Sequence, residues 1–186
     1  MKCFWAFPGA RYMFFHRLCV WLKTQGIIYR PFYFITRIIH KHYQYKFGIF
    51  IPYNTEIGEG FYIGHCGGIV VNSTARIGKN CNINHGVTIG TKYGGKNPGT
   101  PTILNNVYIG PGAKIIGGIT VGNNVAIGAN CVVTRSVPTN GVVVGVPGKI
   151  VSYNGAANYI VNTVEELSKT IHDFPNPEST NSVSAT

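Results

Sequence analysis

The chain has 186 residues, with 16 Lys and Arg against 6 Asp and Glu, for a formal net charge of +10. Hydrophobic residues make up 45% of it, charged residues only 12%, and there are 24 Gly. These proportions exclude charge-driven disorder, a charge-studded helical bundle and collagen. A basic chain also invites a nucleic-acid reading, so the placement of the charge matters.

Residues 1–55 carry Lys2, Arg11, Arg17, Lys23, Arg30, Arg37, Lys41 and Lys46 and no acid. Of the 23 aromatic residues, 15 lie in residues 1–50. The imbalance therefore belongs to one segment, and no nucleic-acid motif accompanies it. The start, MKCFWAFPGARYMFFHRLCV, is as apolar as a signal peptide, but Arg11, His16 and Arg17 interrupt it and no small-residue cleavage site follows. No apolar run is long enough to span a bilayer. The spacing of Tyr12, Phe15, Leu18, Cys19 and Leu22, with Gly26 and Pro31 as breakers, predicts two short helices over 10–25 and 31–45. Residues 1–46 thus read as a basic aromatic helical arm.

From residue 51 the pattern changes to a six-residue period. Ile51, Ile57, Ile63 and Ile69 are followed, after a shift of two, by Val71, Ile77, Ile83 and Ile89. After a 14-residue step come Ile103, Ile109, Ile115, Val121, Ile127 and Val133. Six is neither a helical nor a hairpin period, and a strict hexapeptide signals a parallel β-helix. Each hexad supplies a short strand and a turn, three hexads close a triangular coil, and the branched aliphatics stack inward. Asn54, Asn72, Asn80, Asn84, Asn106, Asn123, Asn124 and Asn130 fall at corners, where left-handed backbone is tolerated. The shift at Ile69–Val71 is expected to bulge one corner.

The long step places residues 91–102, TKYGGKNPGTPT, outside the stack as a loop suited to binding residues. Residues 142–151 read as an irregular turn closing the last coil. Thr163 with Glu166 forms a capping box for a short helix to Ile171, and the tail from Pro175 reads as disordered. The domain reading is an arm over 1–46, a β-helix over 47–152 and a C-terminal helix and tail over 153–186.

Five cysteines, at Cys3, Cys19, Cys66, Cys81 and Cys131, form neither a paired framework nor a CxxC, so no disulfide scaffold or zinc site is indicated. Among the histidines, His16, His40 and His42 lie in the arm, where structural or surface roles are expected, and His172 lies near the tail. His65 and His85 each follow an inward isoleucine by two places and fall at equivalent corners of adjacent coils. Neutral imidazole at a Gly-rich corner (Gly64, Gly67, Gly68) has room for a substrate and takes a hydroxyl proton near neutral pH. With no third ligand nearby, a metal is not expected. The stack holds two carboxylates, Glu56 and Glu59, and no Asp, so paired-carboxylate chemistry is a weak reading.

The hexads, FYIGHCGGIVV (61–71), NINHGVTIG (82–90), the loop, IGPGAKIIGGITVGNNVAIGANCVV (109–133) and GVPGKIV (145–151) together resemble a serine O-acetyltransferase-type member of the left-handed β-helix acyltransferases. The likeness covers roughly residues 47–152. It implies a mainly β, left-handed parallel β-helix, acetyl-CoA as donor, and a homotrimer with active sites between subunits. It also implies His65 as general base on the acceptor hydroxyl; His85, at the equivalent corner, is a second catalytic candidate from its position alone, with a structural role as the alternative. For the donor it points to Ala113, Lys114, Ala129, Gly148 and Lys149.

The departures bear on the acceptor. Gly64 stands where serine acetyltransferases carry Asp, Thr100 where their loop carries His, and Phe50 or Ile51 near the place of the aspartate that orients the base. Glu56, Glu59, His85 or a backbone carbonyl is left to orient His65. Gly64, Thr100 and Lys92 are the candidate acceptor residues. The short basic arm in place of a long helical domain resembles relatives encoded for capsule, exopolysaccharide or lipopolysaccharide synthesis. The expectation is therefore an O-acetyltransferase acting on a hydroxyl of a sugar or polysaccharide precursor. Serine acetylation and a non-catalytic β-helix scaffold are the alternatives. A cytoplasmic protein is expected, with peripheral membrane contact through residues 1–46 as a further option.

Overall fold

A computed structural model describes residues 7–164. Helix α1 spans Pro8–Lys23, with Pro8 in its first turn and Lys23 in its last, both favoured at those ends. A 3-10 turn at Ile27–Tyr29 leads to α2, Arg30–Phe47, which stops at Gly48 in the left-handed conformation (φ 61°). Both predicted helices are present. The buried face of α1 is Gly9, Tyr12, Met13, His16, Cys19 and Leu22, so Phe15 and Leu18 are flank rather than core. α1 lies on the first coil: the Tyr12 hydroxyl donates to Ile51 O at 2.6 Å and accepts from Ile51 N at 3.1 Å.

Beyond the arm the chain winds into a left-handed parallel β-helix, in agreement with the fold read from the sequence. One face stacks Ile49–Phe50, Ile69–Val71, Thr88–Gly90, Lys114–Ile116 and Val132–Val133. The second stacks Glu56–Ile57, Arg76–Ile77, Thr102–Ile103 and Thr120–Val121. The third stacks Tyr62–Ile63, Asn82–Ile83, Tyr108–Ile109, Ala126–Ile127 and Val142–Val144. Pairing is parallel and in register, for example Ile63↔Ile83↔Ile109↔Ile127.

All fourteen periodic Ile and Val positions are buried. The structure adds a second inward position two residues earlier, as in Val87 with Ile89, Val107 with Ile109 and Val125 with Ile127. Cys81 and Cys131 occupy this position below Ile83 and Val133, as small apolar residues. Ile69 is likewise the early partner of Val71, both pointing inward on one strand. The two extra residues therefore sit in the corner 64–68, which has five residues between inward positions, against three (Asn84, His85, Gly86) in the coil above. The expected bulge is an enlarged His65 corner.

Ten of the left-handed residues form two columns. One runs through Gly48, Gly68, Gly86, Gly112 and Asn130, the other through Gly60, Asn80, Asn106, Asn124 and Asn140. Asn54, Asn72, Asn84 and Asn123 are not left-handed. The turn expected at 142–151 is a hairpin, with Lys149–Ser152 antiparallel to Val142–Val144. Thr102 opens a strand, so the extruded loop ends at Pro101. The helix expected from the Thr163 box and the tail fall beyond residue 164, outside the described residues, as does His172. Among the described residues no helix is long and apolar enough to cross a membrane.

Candidate functional site

His65 and His85 lie on the corner between the third and first faces, brought into adjacent coils by the Ile63↔Ile83 register. Both are exposed, and their rings meet edge to face with centroids 6.0 Å apart. His65 Nδ1 lies 3.4 Å from Asn84 Oδ1. Asn84 is itself buried, and its Nδ2 donates to Ile109 O at 3.2 Å. That second bond fixes which end of the amide faces His65: the oxygen does, so in the neutral imidazole Nδ1 is the donor and Nε2 holds the lone pair.

Asn84 was missed from the sequence as a site residue because it reads as one more corner asparagine. The carboxylates named as orienting candidates go elsewhere. Glu56 pairs with Arg76 at 3.1 Å and Glu59 with Lys79 at 3.3 Å, all on exposed side chains. Gly64 makes the Asn84 arrangement possible, because a Cβ there would lie 2.9 Å from Asn84 Oδ1.

A hollow of about 150 Å³ adjoins His65, lined by Tyr62, Gly64, Asn82, Ile83, Asn84, Tyr108, Tyr159 and Val161. Tyr62, Asn82 and Tyr108 are successive outward residues of the third face. The fourth wall is a strap of chain after the hairpin. Gly155 N donates to Asn140 O at 3.0 Å, Ala156 N to Asn124 Oδ1 at 3.0 Å and Val164 N to Asn80 Oδ1 at 3.1 Å. The strap thus descends the asparagine column and sets Tyr159 against Tyr108, ring centroids 5.3 Å apart. Asn82 Oδ1 is buried under it without a hydrogen-bond partner. The strap's role is not readable from sequence, since it depends on a left-handed column recognisable only once the coils are stacked.

A second hollow, about 260 Å³, shares Tyr108 and Tyr159 with the first and continues up the stack past Pro111 to Ala129 and Val144. Ala129, a predicted donor residue, is exposed there. Gly148 and Lys149 line a separate cleft of about 530 Å³ with Thr134, Arg135 and Ser136, so Arg135 is a second cation beside Lys149. Ala113 is buried and its amide already donates to Gly110 O at 3.3 Å, and Gly148 N donates to Val132 O at 2.8 Å. Lys114 Nζ is turned onto Gly86 O.

Lys92 and Thr100 are not brought to His65 within one chain. Lys92 closes its own loop, pairing with Gly99 and donating from Nζ to Lys96 O at 2.7 Å. Thr100 shares hydroxyl contacts with Thr74 at 2.8 Å and Thr91 at 2.9 Å, at another corner. Another cleft, of about 750 Å³, lies between α1 and the second face. Its histidine, His16, is buried; Nε2 donates to Pro52 O at 3.1 Å and the Nδ1 lone pair is enclosed without a partner, out of reach of a substrate. Among the described residues no group of three or more His, Cys, Asp or Glu could hold a metal ion.

A family model described as bacterial transferase hexapeptide (six repeats) matches residues 100–135. The serine acetyltransferase of Helicobacter pylori J99 is 38% identical over 137 residues, covering 74% of this chain and 80% of that protein. The chain belongs to the hexapeptide-repeat acyltransferases. Another relative in this family, the serine acetyltransferase of Synechococcus elongatus, is 38% identical over 151 residues, 80% of this chain and 59% of that protein. Brucella abortus serine acetyltransferase in complex with coenzyme A superposes with a TM-score of 0.68 at 34% identity, covering 80% of this chain and 57% of that one. The Neisseria gonorrhoeae enzyme in complex with serine gives 0.65 at 34% identity, over 77% and 56%. The chain thus spans about three fifths of the length of several relatives it matches.

Proposed function

We propose that this chain is an acetyl-CoA-dependent O-acetyltransferase with His65 as general base. The observation that carries the reading is the His65–Asn84–Ile109 chain, which leaves Nε2 unprotonated beside a hollow that continues into a groove. Nε2 takes the acceptor's hydroxyl proton as its oxygen attacks the thioester carbonyl. The tetrahedral intermediate then expels the thiolate of CoA, which recovers the proton from the imidazolium. The acetyl group passes directly, with no acyl-enzyme.

Acetyl-CoA enters as a substrate. Its pantetheine chain suits the groove along Tyr108, Pro111 and Ala129, and its phosphates suit Arg135 and Lys149. Sites between subunits of a homotrimer would give the loop carrying Lys92 and Thr100 a place beside a neighbour's His65. His85, in ring contact with His65, limits the base's rotation.

For the acceptor, L-serine is the first reading, supported by the names of the relatives. A sugar hydroxyl is the second, and one observation favours it. Among the described residues no carboxylate lines the His65 hollow, which offers three tyrosines and two asparagines instead. An ammonium would find no ionic partner among these residues, whereas a neutral polyol needs none. The test is acetyl-CoA turnover with L-serine beside a panel of sugars and sugar nucleotides. Efficient use of L-serine alone establishes the first reading, use of a sugar the second, and turnover unchanged in His65→Ala overturns the mechanism.

A further inference from the structure

The arm presents an apolar surface that the β-helix does not use. Along α2 the half-buried and buried residues Tyr33, Thr36, His40, Tyr43 and Phe47 face α1 and the first coil. The opposite face carries Phe34, Ile35, Ile38 and Tyr45, exposed by 56–70%. Ile27 and Ile28, each 76% exposed, extend it across the turn between the helices. Arg30, Lys41 and Lys46 border it, and none has an ion pair among the described residues.

We propose that this face docks on an anionic lipid surface, with Ile27, Ile28, Ile35 and Ile38 entering the acyl boundary and the bordering cations meeting lipid phosphates. The charge selects the partner. Residues 1–55 contain eight cations and no acid, so pairing this face with a second copy would set like charges together. A negatively charged leaflet supplies the missing counter-charge, each basic residue adding attraction near the surface. Branched aliphatics with flanking aromatics and cations match a helix lying in the interfacial plane. The surface is distinct from the His65 hollow, since none of its residues lines it.

The test is flotation of the full chain with phosphatidylcholine vesicles, with and without phosphatidylglycerol. The chain is expected to float with the phosphatidylglycerol vesicles and to be released by salt. Ile35→Ser with Ile38→Ser, and separately Arg30→Glu with Lys41→Glu, should each weaken flotation about tenfold. Both pairs are exposed, so unchanged melting curves and unchanged acetyl transfer to a soluble acceptor are the controls. Absence of wild-type flotation with either vesicle overturns the proposal. So does a serine pair that floats like wild type, or one whose effect is a changed oligomeric state, which would make the face a protein interface.

Discussion

Gly64 and Asn84 are complementary: the missing side chain of one is the space filled by the other's amide oxygen, 2.9 Å from where a Cβ at residue 64 would stand. That oxygen holds His65 Nδ1. A carboxylate at residue 64 is therefore incompatible with the present support for His65. Gly64→Asp is expected to lower acetyl transfer to every acceptor, because it displaces Asn84 while leaving the donor groove intact. Steady-state kinetics with L-serine and with sugars check it; a gain with L-serine would show that residue 64 sets the acceptor directly.

Asn84 acts through His65, so its removal should be milder than loss of the base. His65→Ala is expected to lower kcat by about 10²–10⁴. Asn84→Ala should lower it about five- to tenfold, the effect of one lost hydrogen bond of about 1 kcal/mol. The KM for acetyl-CoA should hold in both variants. A pH–rate profile separates positioning from packing: Asn84→Ala should move the acidic limb that reports the base, whereas a purely structural defect would scale the whole profile.

Tyr159 reaches the site only through the strap, stacked near Tyr108. Tyr159→Ala should raise the KM for the acceptor severalfold with little change in kcat, since it removes a wall and not the base. An unchanged acceptor KM would place the acceptor elsewhere along the corner.

The periodic Ile and Val residues made the β-helix legible because each inward position must be apolar and the spacing admits few alternatives. The same logic located His65 and His85 on adjacent coils. What stayed hidden depends on contacts across coils. Asn84 and Asn80 are both asparagines at corners, yet one holds a catalytic candidate and the other is left-handed and receives the strap. The enlarged corner was visible as an irregular count, but a count cannot say whether extra residues enter the strand or the turn. Burial of both Ile69 and Val71 settles it.

The stack predicts its own weak points. Ile109 is fully buried in the middle of the third-face ladder, so Ile109→Ala should cost about 2–5 kcal/mol in chemical denaturation. Gly112 has φ 71°, and a Cβ on it would lie 2.0 Å from Asn130 Oδ1. Gly112→Ala should therefore cost at least about 1–3 kcal/mol, although it adds only one methyl group. A Gly112→Ala chain as stable as wild type would mean that the left-handed column is not required.

The arm should be the acid-sensitive part. His16 and His40 are buried with ring centroids 5.7 Å apart, and burial pushes both down to about 4 from an ordinary 6.5. Arg17 disfavours the charged form of His16, while His16 and Arg37 do so for His40. Tyr12 packs against His40 and adds no negative charge near neutrality. Between pH 6.5 and 4 the unfolded arm binds protons that the folded arm refuses, so stability present above pH 6.5 is lost as the pH falls through that window. Near-UV circular dichroism should show the aromatic arm loosening before the far-UV signal of the β-helix changes. His40→Leu should flatten the dependence; an equally steep loss in that variant would assign it to other groups.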